Sequence, residues 1–252
     1  MSDVNTLARW IDEARHVVAL TGAGVSTESG IPDFRSAAGL WTASDPMDVA
    51  SIGGFRADPG RFYRFWKEKF AAFVDAAPSS AHRLLAGLEA RGRMQAVITQ
   101  NIDGLHQRAG SRRVLEVHGT FQRVRCLSCG NDEPLADVFA RVDLTPGAAP
   151  PRCPVCDHPL LKPDVVLFGE MLPPLFQEAE AEAREADLML VMGTSLEVYP
   201  VAGLAPLAKA EGARVVVLNR DPTPFDGGAD LVLHGELGAL SGELRSLLGL
   251  MA

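Results

Sequence analysis

The stretch Val17-Val18-Ala19-Leu20-Thr21-Gly22-Ala23-Gly24-Val25-Ser26 decides the fold. An apolar run without alternation leads straight into two glycines spaced by one residue. Such a run suits a strand buried on both faces, as in a parallel sheet. Glycines at its C-terminal end allow a tight turn and a close backbone approach to a pyrophosphate, whose charge a following helix N-terminus stabilises. The third glycine of the usual dinucleotide fingerprint is missing, because Thr27 stands there and the next glycine is Gly30. By spacing alone, a plain strand-to-helix turn reads equally well.

Working outward, residues 4–15 form an amphipathic opening helix with Leu7, Trp10, Ile11 and Ala14 on one face. Further short apolar runs fall at 96–99, 114–117, 165–168, 188–192 and 214–218, and helical patterns at 80–91, 174–185 and 201–211 separate several of them. Strand and helix in alternation predict an α/β fold, a Rossmann-like doubly wound parallel sheet. Two stretches break the rhythm. Residues 31–78 carry Gly, Pro and many aromatics, among them Phe55, Phe62, Tyr63 and Trp66, and read as a long loop followed by a small helical insert. Residues 120–162 hold all four cysteines and the run Thr145-Pro146-Gly147-Ala148-Ala149-Pro150-Pro151. The expected organisation is one domain over 1–252. Residues 1–35, 79–119 and 163–252 form its nucleotide-binding part, 36–78 a loop and helical insert, and 120–162 a zinc-ribbon module.

The 252 residues suffice for one large core, with 47% hydrophobic and 22% charged residues. A net charge of −8 disfavours a nucleic-acid partner, since phosphate contacts need Lys and Arg. Arg123, Arg125 and Arg152 do cluster near the cysteines. No apolar run approaches the ~20 residues of a membrane span. Arg9, Asp12, Glu13, Arg15 and His16 interrupt any signal-peptide core. A cytoplasmic protein without membrane attachment is expected, and a monomer is the default.

In a reducing compartment four cysteines are metal ligands or thiols before they are disulfides. The pattern is Cys126-x-x-Cys129, then 23 residues, then Cys153-x-x-Cys156. Each pair is a knuckle offering two thiolates, and two knuckles complete a tetrahedral zinc site with no position open for water. Such a zinc is structural. The alternative, redox-active thiols, fits poorly with a pair of pairs.

Polar residues crowd the ends of two other runs. Ala96-Val97-Ile98-Thr99 is followed by Gln100-Asn101-Ile102-Asp103, and Val114-Leu115-Glu116-Val117 by His118-Gly119. Open α/β sheets bind ligands at the C-terminal ends of their strands. Asn101 and Asp103 could instead cap the next helix. His118 could be a general base with backbone room beside it, or a structural histidine. His82, His106, His158 and His234 have no comparable setting.

Taken together these stretches resemble the sirtuin family. The matching pieces are Gly22-Ala23-Gly24-Val25-Ser26, Gly30-Ile31-Pro32-Asp33-Phe34-Arg35, Thr99-Gln100-Asn101-Ile102-Asp103, His118-Gly119 and the two cysteine pairs. Then follow Lys162-Pro163-Asp164-Val165-Val166-Leu167-Phe168-Gly169-Glu170, Gly193-Thr194-Ser195, Val198-Tyr199-Pro200 and Leu218-Asn219. Their order covers nearly the whole chain.

The resemblance implies transfer of an acyl group from a protein lysine to the ADP-ribose of NAD, with nicotinamide released. The acyl oxygen would attack the nicotinamide ribose to give an alkylimidate, with His118 as general base on a ribose hydroxyl. Asn101 would position the ribose and a water, and Asp103 with the Ile102 backbone would hold the nicotinamide amide. Phe34 would keep water from the reaction centre. The resemblance places Gly22, Ala23, Gly24, Thr27, Asp33, Arg35, Gln100, Gly193, Asp221 and Glu236 around NAD as well, and Thr194, Ser195 and Asn219 on its adenosine half. The acyl-lysine peptide would add as an extended strand along Val166, Phe168, Gly169, Glu170 and Val198.

Family members that remove dicarboxylic acyl groups carry a Tyr-x-x-Arg pair in the helical insert. Here the pair is Tyr63 and Trp66, so neutral short acyl groups, acetyl first, are expected. Two other readings use the same residues: mono-ADP-ribosyl transfer, and a non-catalytic NAD-sensing module.

Overall fold

The structure is a computed structural model, and it describes residues 3–33, 39–42 and 45–250. Its strands are β1 (Val17–Thr21), β2 (Ala96–Thr99), β3 (Val114–Glu116), β4 (Gly119–Cys126), β5 (Asp132–Pro134), β6 (Leu161–Val165), β7 (Leu188–Met192), β8 (Arg214–Asn219) and β9 (Leu231–His234). Its α-helices are α1 (Asp3–Glu13), α2 (Pro46–Val49), α3 (Ile52–Ala57), α4 (Pro59–Asp75), α5 (Ser80–Ala90), α6 (Leu105–Ala109), α7 (Leu135–Ala140), α8 (Leu175–Glu185), α9 (Leu204–Ala210) and α10 (Leu237–Leu247). The described residues fall into two compact units. One holds 3–33, 77–117 and 174–250; the other holds the described part of 34–76 together with 118–173.

The first unit is built on a six-stranded sheet in the order β3-β2-β1-β7-β8-β9. All its pairs are parallel, and β1 lies between Ala96–Thr99 of β2 and Leu188–Met192 of β7. Every residue of β1, β2 and β7 is buried, which is why their sequences show no polar alternation. On one face α1 buries Val4, Leu7, Ala8 and Ile11, against Leu84, Leu85 and Leu88 of α5 and Leu237 and Leu244 of α10. Each such leucine contributes roughly 1.5–3 kcal/mol by leaving water. Ser79 and His82 open α5 with a reciprocal capping box, so a histidine fills the place usually taken by Glu or Gln. The chain steps outward from β1 to β3 and then returns to β7, so the sheet reverses direction between β1 and β7. That reversal is the topological switch point where such sheets bind ligands.

Three expectations need correction. The run at 165–168 is not a strand of this sheet. The strand is β6, antiparallel to β4 in a separate three-stranded sheet of order β5-β4-β6. Its burial alternates, with Leu161, Pro163 and Val165 inside and Asp164 exposed, the pattern of a strand with one face covered. Pro163 is tolerated there because β6 is an edge. Residues 163–173 accordingly group with the second unit and not with the parallel sheet. The glycine-rich loop does not open a long helix; it makes two single 3-10 turns, Ala23–Val25 and Thr27–Ser29. Finally, β9 was not anticipated, since it is a short, half-covered edge strand with little apolar signal.

The aromatic-rich insert is the core of the second unit. Phe55 and Phe62 meet edge-on at 5.1 Å, Trp66 and Phe121 at 5.3 Å, and Phe121 and Phe139 at 5.8 Å. The side chains of Asp45, Ser51 and Asp58 cap α2, α3 and α4, each accepting a backbone N–H of the first turn. Arg123 pairs with Asp132 and Arg152 with Asp157, so two of the three arginines near the cysteines face acids of their own module. Among the described residues no helix is long and apolar enough to cross a membrane.

Candidate functional site

The glycines after β1 are explained by packing. Gly22 N donates to Met192 O at 3.1 Å and Gly24 N to Gly193 O at 2.8 Å. A Cβ on Gly24 would sit 2.7 Å from Gly193 Cα, and one on Gly193 would sit 2.5 Å from Val25 N. Gly193 also takes φ +63°. The loops leaving β1 and β7 therefore lie backbone on backbone at the switch point. Thr27, where the fingerprint glycine is absent, donates its hydroxyl to Gly24 O at 3.0 Å and so fastens the loop.

Against this loop lie the polar residues after β2. Asn101 is buried; its side-chain amide donates to Gly22 O and to Ser26 Oγ, both at 3.1 Å. Ser26 Oγ donates to Asp103 Oδ2 at 2.7 Å, and Asp103 Oδ1 accepts Leu105 N at 2.9 Å. Gly104 is the N-cap of α6; Asp103 precedes it and takes the first helical amide with one oxygen, while its other oxygen serves the network. Burial pushes its carboxyl pKa up, against the hydrogen bonds from Leu105 and Ser26 that favour the charge. Gln100 Nε2 donates to Thr194 Oγ1 at 2.9 Å, joining the end of β2 to the loop after β7.

The structure brings together Gly22, Gly24, Thr27, Gln100, Asn101, Asp103, Gly193 and Thr194 at the C-terminal ends of β1, β2 and β7. Asn219 ends β8, and its Nδ2 donates to Asp221 O at 2.7 Å. Asp221 binds Arg220, and Glu236 stands exposed at the N-cap of α10. Ala23, Asp33 and Ser195 are half-buried, and Val198 is half-buried in the stretch after β7. Phe34 and Arg35 lie outside the described residues.

Ser26 carries no signal in the sequence, whereas His82 and His106, read there as structural or exposed, are both buried. Ser26 is 1% exposed and is the hub of the Asn101–Asp103 network. His82 Nδ1 accepts Ser79 N at 3.1 Å, which leaves the proton on Nε2, 3.5 Å from Ser26 Oγ. His106 packs edge-on against it at 4.6 Å and meets Thr21 Oγ1 at 3.0 Å. Burial lowers His82 to about 4 and His106 to about 3, so both rings are neutral. A serine in a glycine-rich turn carries no signal of its own; only its distance from β2 in space reveals it.

In the second unit His118 precedes β4, and its carbonyl accepts Val166 N at 2.8 Å. Gly119 takes φ +79°, and a Cβ there would fall 2.1 Å from Asp164 O. The glycine after His118 is thus required by the β6 backbone beside it. Val166 is half-buried and Phe168 exposed; Phe168 N donates to Ala50 O and its carbonyl accepts Ile52 N. Gly169 takes φ +89° beside Glu170.

The four cysteine sulfurs all lie within 4.8 Å of one another, with Cys126–Cys156 and Cys129–Cys153 at 3.6 Å. Zinc–sulfur bonds of about 2.3 Å in a tetrahedron demand sulfurs about 3.8 Å apart, so the cluster fits zinc. Gly130, at φ +74°, turns the first knuckle, where Gly130 N donates to Cys126 O.

A parallel sheet reversing at β1 and β7, with a buried polar cluster at the strand ends and a four-cysteine module, defines a Rossmann-like nucleotide-binding protein that carries structural zinc. Residues 22–200 match the model of the Sir2 family. The chain belongs to that family. It is 44% identical to an NAD-dependent protein deacetylase of Caldivirga maquilingensis over 96% of this chain and 93% of the relative. It is 46% identical to an NAD-dependent protein deacylase of Aeropyrum pernix over 90% of each chain. Among solved structures, a Sir2 histidine-to-alanine variant with a deacetylated p53 peptide and 3′-O-acetyl-ADP-ribose superimposes with a TM-score of 0.91. It is 38% identical and covers 96% of this chain and 97% of its own.

Proposed function

We propose that this chain removes acetyl groups from protein lysines, using NAD as co-substrate and giving nicotinamide and O-acetyl-ADP-ribose. The observation that carries this reading is the buried Ser26–Asn101–Asp103 network at the sheet's switch point, in a chain of the Sir2 family. NAD supplies the ADP-ribose that accepts the acyl group. Asn101 and Gln100 orient the nicotinamide ribose, while Asp103 and the Ile102 backbone receive the carboxamide. Thr194, Ser195 and Asn219 serve the adenosine half. His118 takes a ribose hydroxyl proton as general base. Phe34 shields the reaction centre, and Ala23, Thr27, Asp33, Arg35, Gly193, Asp221 and Glu236 complete the NAD contacts. Val166, Phe168, Gly169, Glu170 and Val198 receive the peptide. The zinc holds the module at 120–162 together.

Acetyl and other neutral short acyl groups are the proposed cargo. Tyr63 Oη donates to Leu161 O at 2.6 Å, and Trp66 Nε1 to Val49 O at 2.7 Å. Arg64 and Lys67 donate to the carbonyls of Ala148 and Val142. These four donors are committed to carbonyls, while Arg61 pairs with Asp48, and a dicarboxylic acyl group buried without a cation would cost several kcal/mol.

The acidic balance and a thiol cluster built for metal rather than disulfides support a cytoplasmic protein acting without nucleic acid or membrane, and a monomer is the default proposed. Light scattering after gel filtration tests the monomer. Mass spectrometry of an acetyl-lysine peptide with and without NAD, for wild type and His118→Ala, tests the reaction. O-acetyl-ADP-ribose formed by wild type only is expected. A zinc-loaded wild type that leaves the peptide acetylated and ADP-ribosylates protein would favour ADP-ribosyl transfer.

A further inference from the structure

Lys162 lies in β6 opposite Arg125 of β4, with its side chain only 13% exposed. Its ammonium donates to Pro163 O at 3.1 Å and Val165 O at 2.7 Å, and meets Glu170 Oε2 at 3.0 Å. An ammonium has three donors, and here each has an acceptor. The same Glu170 oxygen accepts Leu167 N at 2.9 Å, and Glu170 N donates to Leu167 O at 3.0 Å. One cation therefore ties the last carbonyl of β6 to the turn at Gly169, across the stretch 166–170. The neighbouring amides, Val166 N and Phe168 N, go to His118 O and Ala50 O.

A main chain that receives an extended peptide must hold its register beforehand, because ordering it on binding subtracts from affinity. Fixing a free backbone costs about 1–2 kcal/mol per residue. The stretch 166–170 belongs to no strand of its own sheet, and a glycine at positive φ interrupts it. A single parallel bridge pairs Phe168 with Ser51, and the Lys162–Glu170 pair orders the two ends of the stretch that this bridge leaves unpaired.

We propose that Lys162 is a positioning residue for the substrate: it clamps the main chain of 166–170 in the conformation that an acyl-lysine peptide pairs with. This rests on the reading of 166–170 as the peptide-binding segment. Lys162 touches no reacting atom; it acts through Glu170 and the Val165 carbonyl.

The test measures kcat, KM for acetyl-peptide and for NAD, and peptide affinity by calorimetry. The proteins are zinc-loaded wild type, Lys162→Met, Glu170→Gln and the double variant. Lys162→Met is expected to raise peptide KM and Kd on the order of tenfold, with kcat and the KM for NAD changed by less than about twofold. The double variant is expected to be no worse than the weaker single one, since both remove one interaction. Unchanged peptide affinity in Lys162→Met, an equal loss on the NAD side, or additive effects in the double variant would overturn the clamp. If Lys162→Met does not fold, Lys162→Gln answers in its place, because Gln keeps a donor in the same position while losing the charge that pairs with Glu170. A wild type that neither binds nor deacetylates the peptide refutes the deacetylase reading itself, a result distinct from an active wild type indifferent to Lys162.

Discussion

Ser26 donates its hydroxyl to the Asp103 carboxylate at 2.7 Å while accepting the Asn101 amide at 3.1 Å. One hydroxyl thus sets the orientation of two side chains that leave β2 in the same direction. Ser26→Ala removes the bridge and strands a buried carboxylate oxygen, a loss of about 1–3 kcal/mol. Steady-state kinetics should show kcat/KM for NAD falling about 10- to 100-fold with the fold intact. An unchanged value would mean that the network is only structural.

Asp103 also carries a pH signature. Its pKa is raised by burial, so its contribution to stability is complete below the ordinary carboxylate pKa and is lost as pH rises through the raised value. Once the carboxyl ionises, the buried charge therefore costs stability. Asp103→Asn should melt no lower than wild type at pH 7, while deacetylation is lost. A melting temperature that drops in the variant would contradict this.

The two buried histidines act in the opposite sense on the pH axis. His82 and His106 are lowered to about 4 and about 3. The unfolded chain takes up protons near pH 6.5 that the folded chain refuses. Stability is then whole above about pH 6.5 and is lost as pH falls towards 4, by at most ~1.4 kcal/mol per pH unit for each ring. Thermal melts from pH 7 to 4.5 should slope downward, and His106→Gln should flatten the slope. Equal slopes in the two proteins would remove His106 from the account.

Gly193 and Gly30 make a matched pair for testing backbone contact. Both have positive φ, but a Cβ on Gly193 collides with Val25 N, and one on Gly30 meets nothing within 4 Å. Gly30→Ala should cost only the left-handed strain of about 1–2 kcal/mol. Gly193→Ala should cost clearly more and raise the KM for NAD, since it pushes the loops after β1 and β7 apart. Chemical denaturation of both variants, side by side, decides the matter.

Zinc removal should act on stability first. Wild type is expected to hold one zinc per chain by atomic absorption, and Cys129→Ser less. The variant should melt roughly 10 °C or more lower, at ~2–4 °C per kcal/mol for a chain of this size. Deacetylation should fail only as the fold does. A fully stable, zinc-free protein would remove the structural role.

Much of this was legible in residue order. β1, β2 and β7 announced themselves because strands covered on both faces show no polar alternation, only a closing threonine in β1 and β2, and the cysteine spacing pointed to the zinc module. β6 misled because Val165-Val166-Leu167-Phe168 looks continuous, although the strand ends at Val165 and the rest is held by Lys162 and Glu170. β9 was silent because an edge strand needs little apolar sequence. Asn101 and Asp103 were found by their place at a strand end. Ser26 was not, because its partners lie 75 and 77 residues away. The close approach of Gly24 and Gly193 was likewise invisible, since each glycine alone reads as an ordinary turn.

The central pairing of the parallel sheet joins Val17 to Leu188. At synthesis rates of ~5–20 residues per second, the first strand waits about 10–30 s on the ribosome before its partner has been made. Throughout that interval a strand of four apolar residues and Thr21 has at least one open edge, and both edges are open until β2 has been made. The nascent protein is therefore most vulnerable to aggregation, and most in need of a chaperone's shelter, when most of it has already been translated.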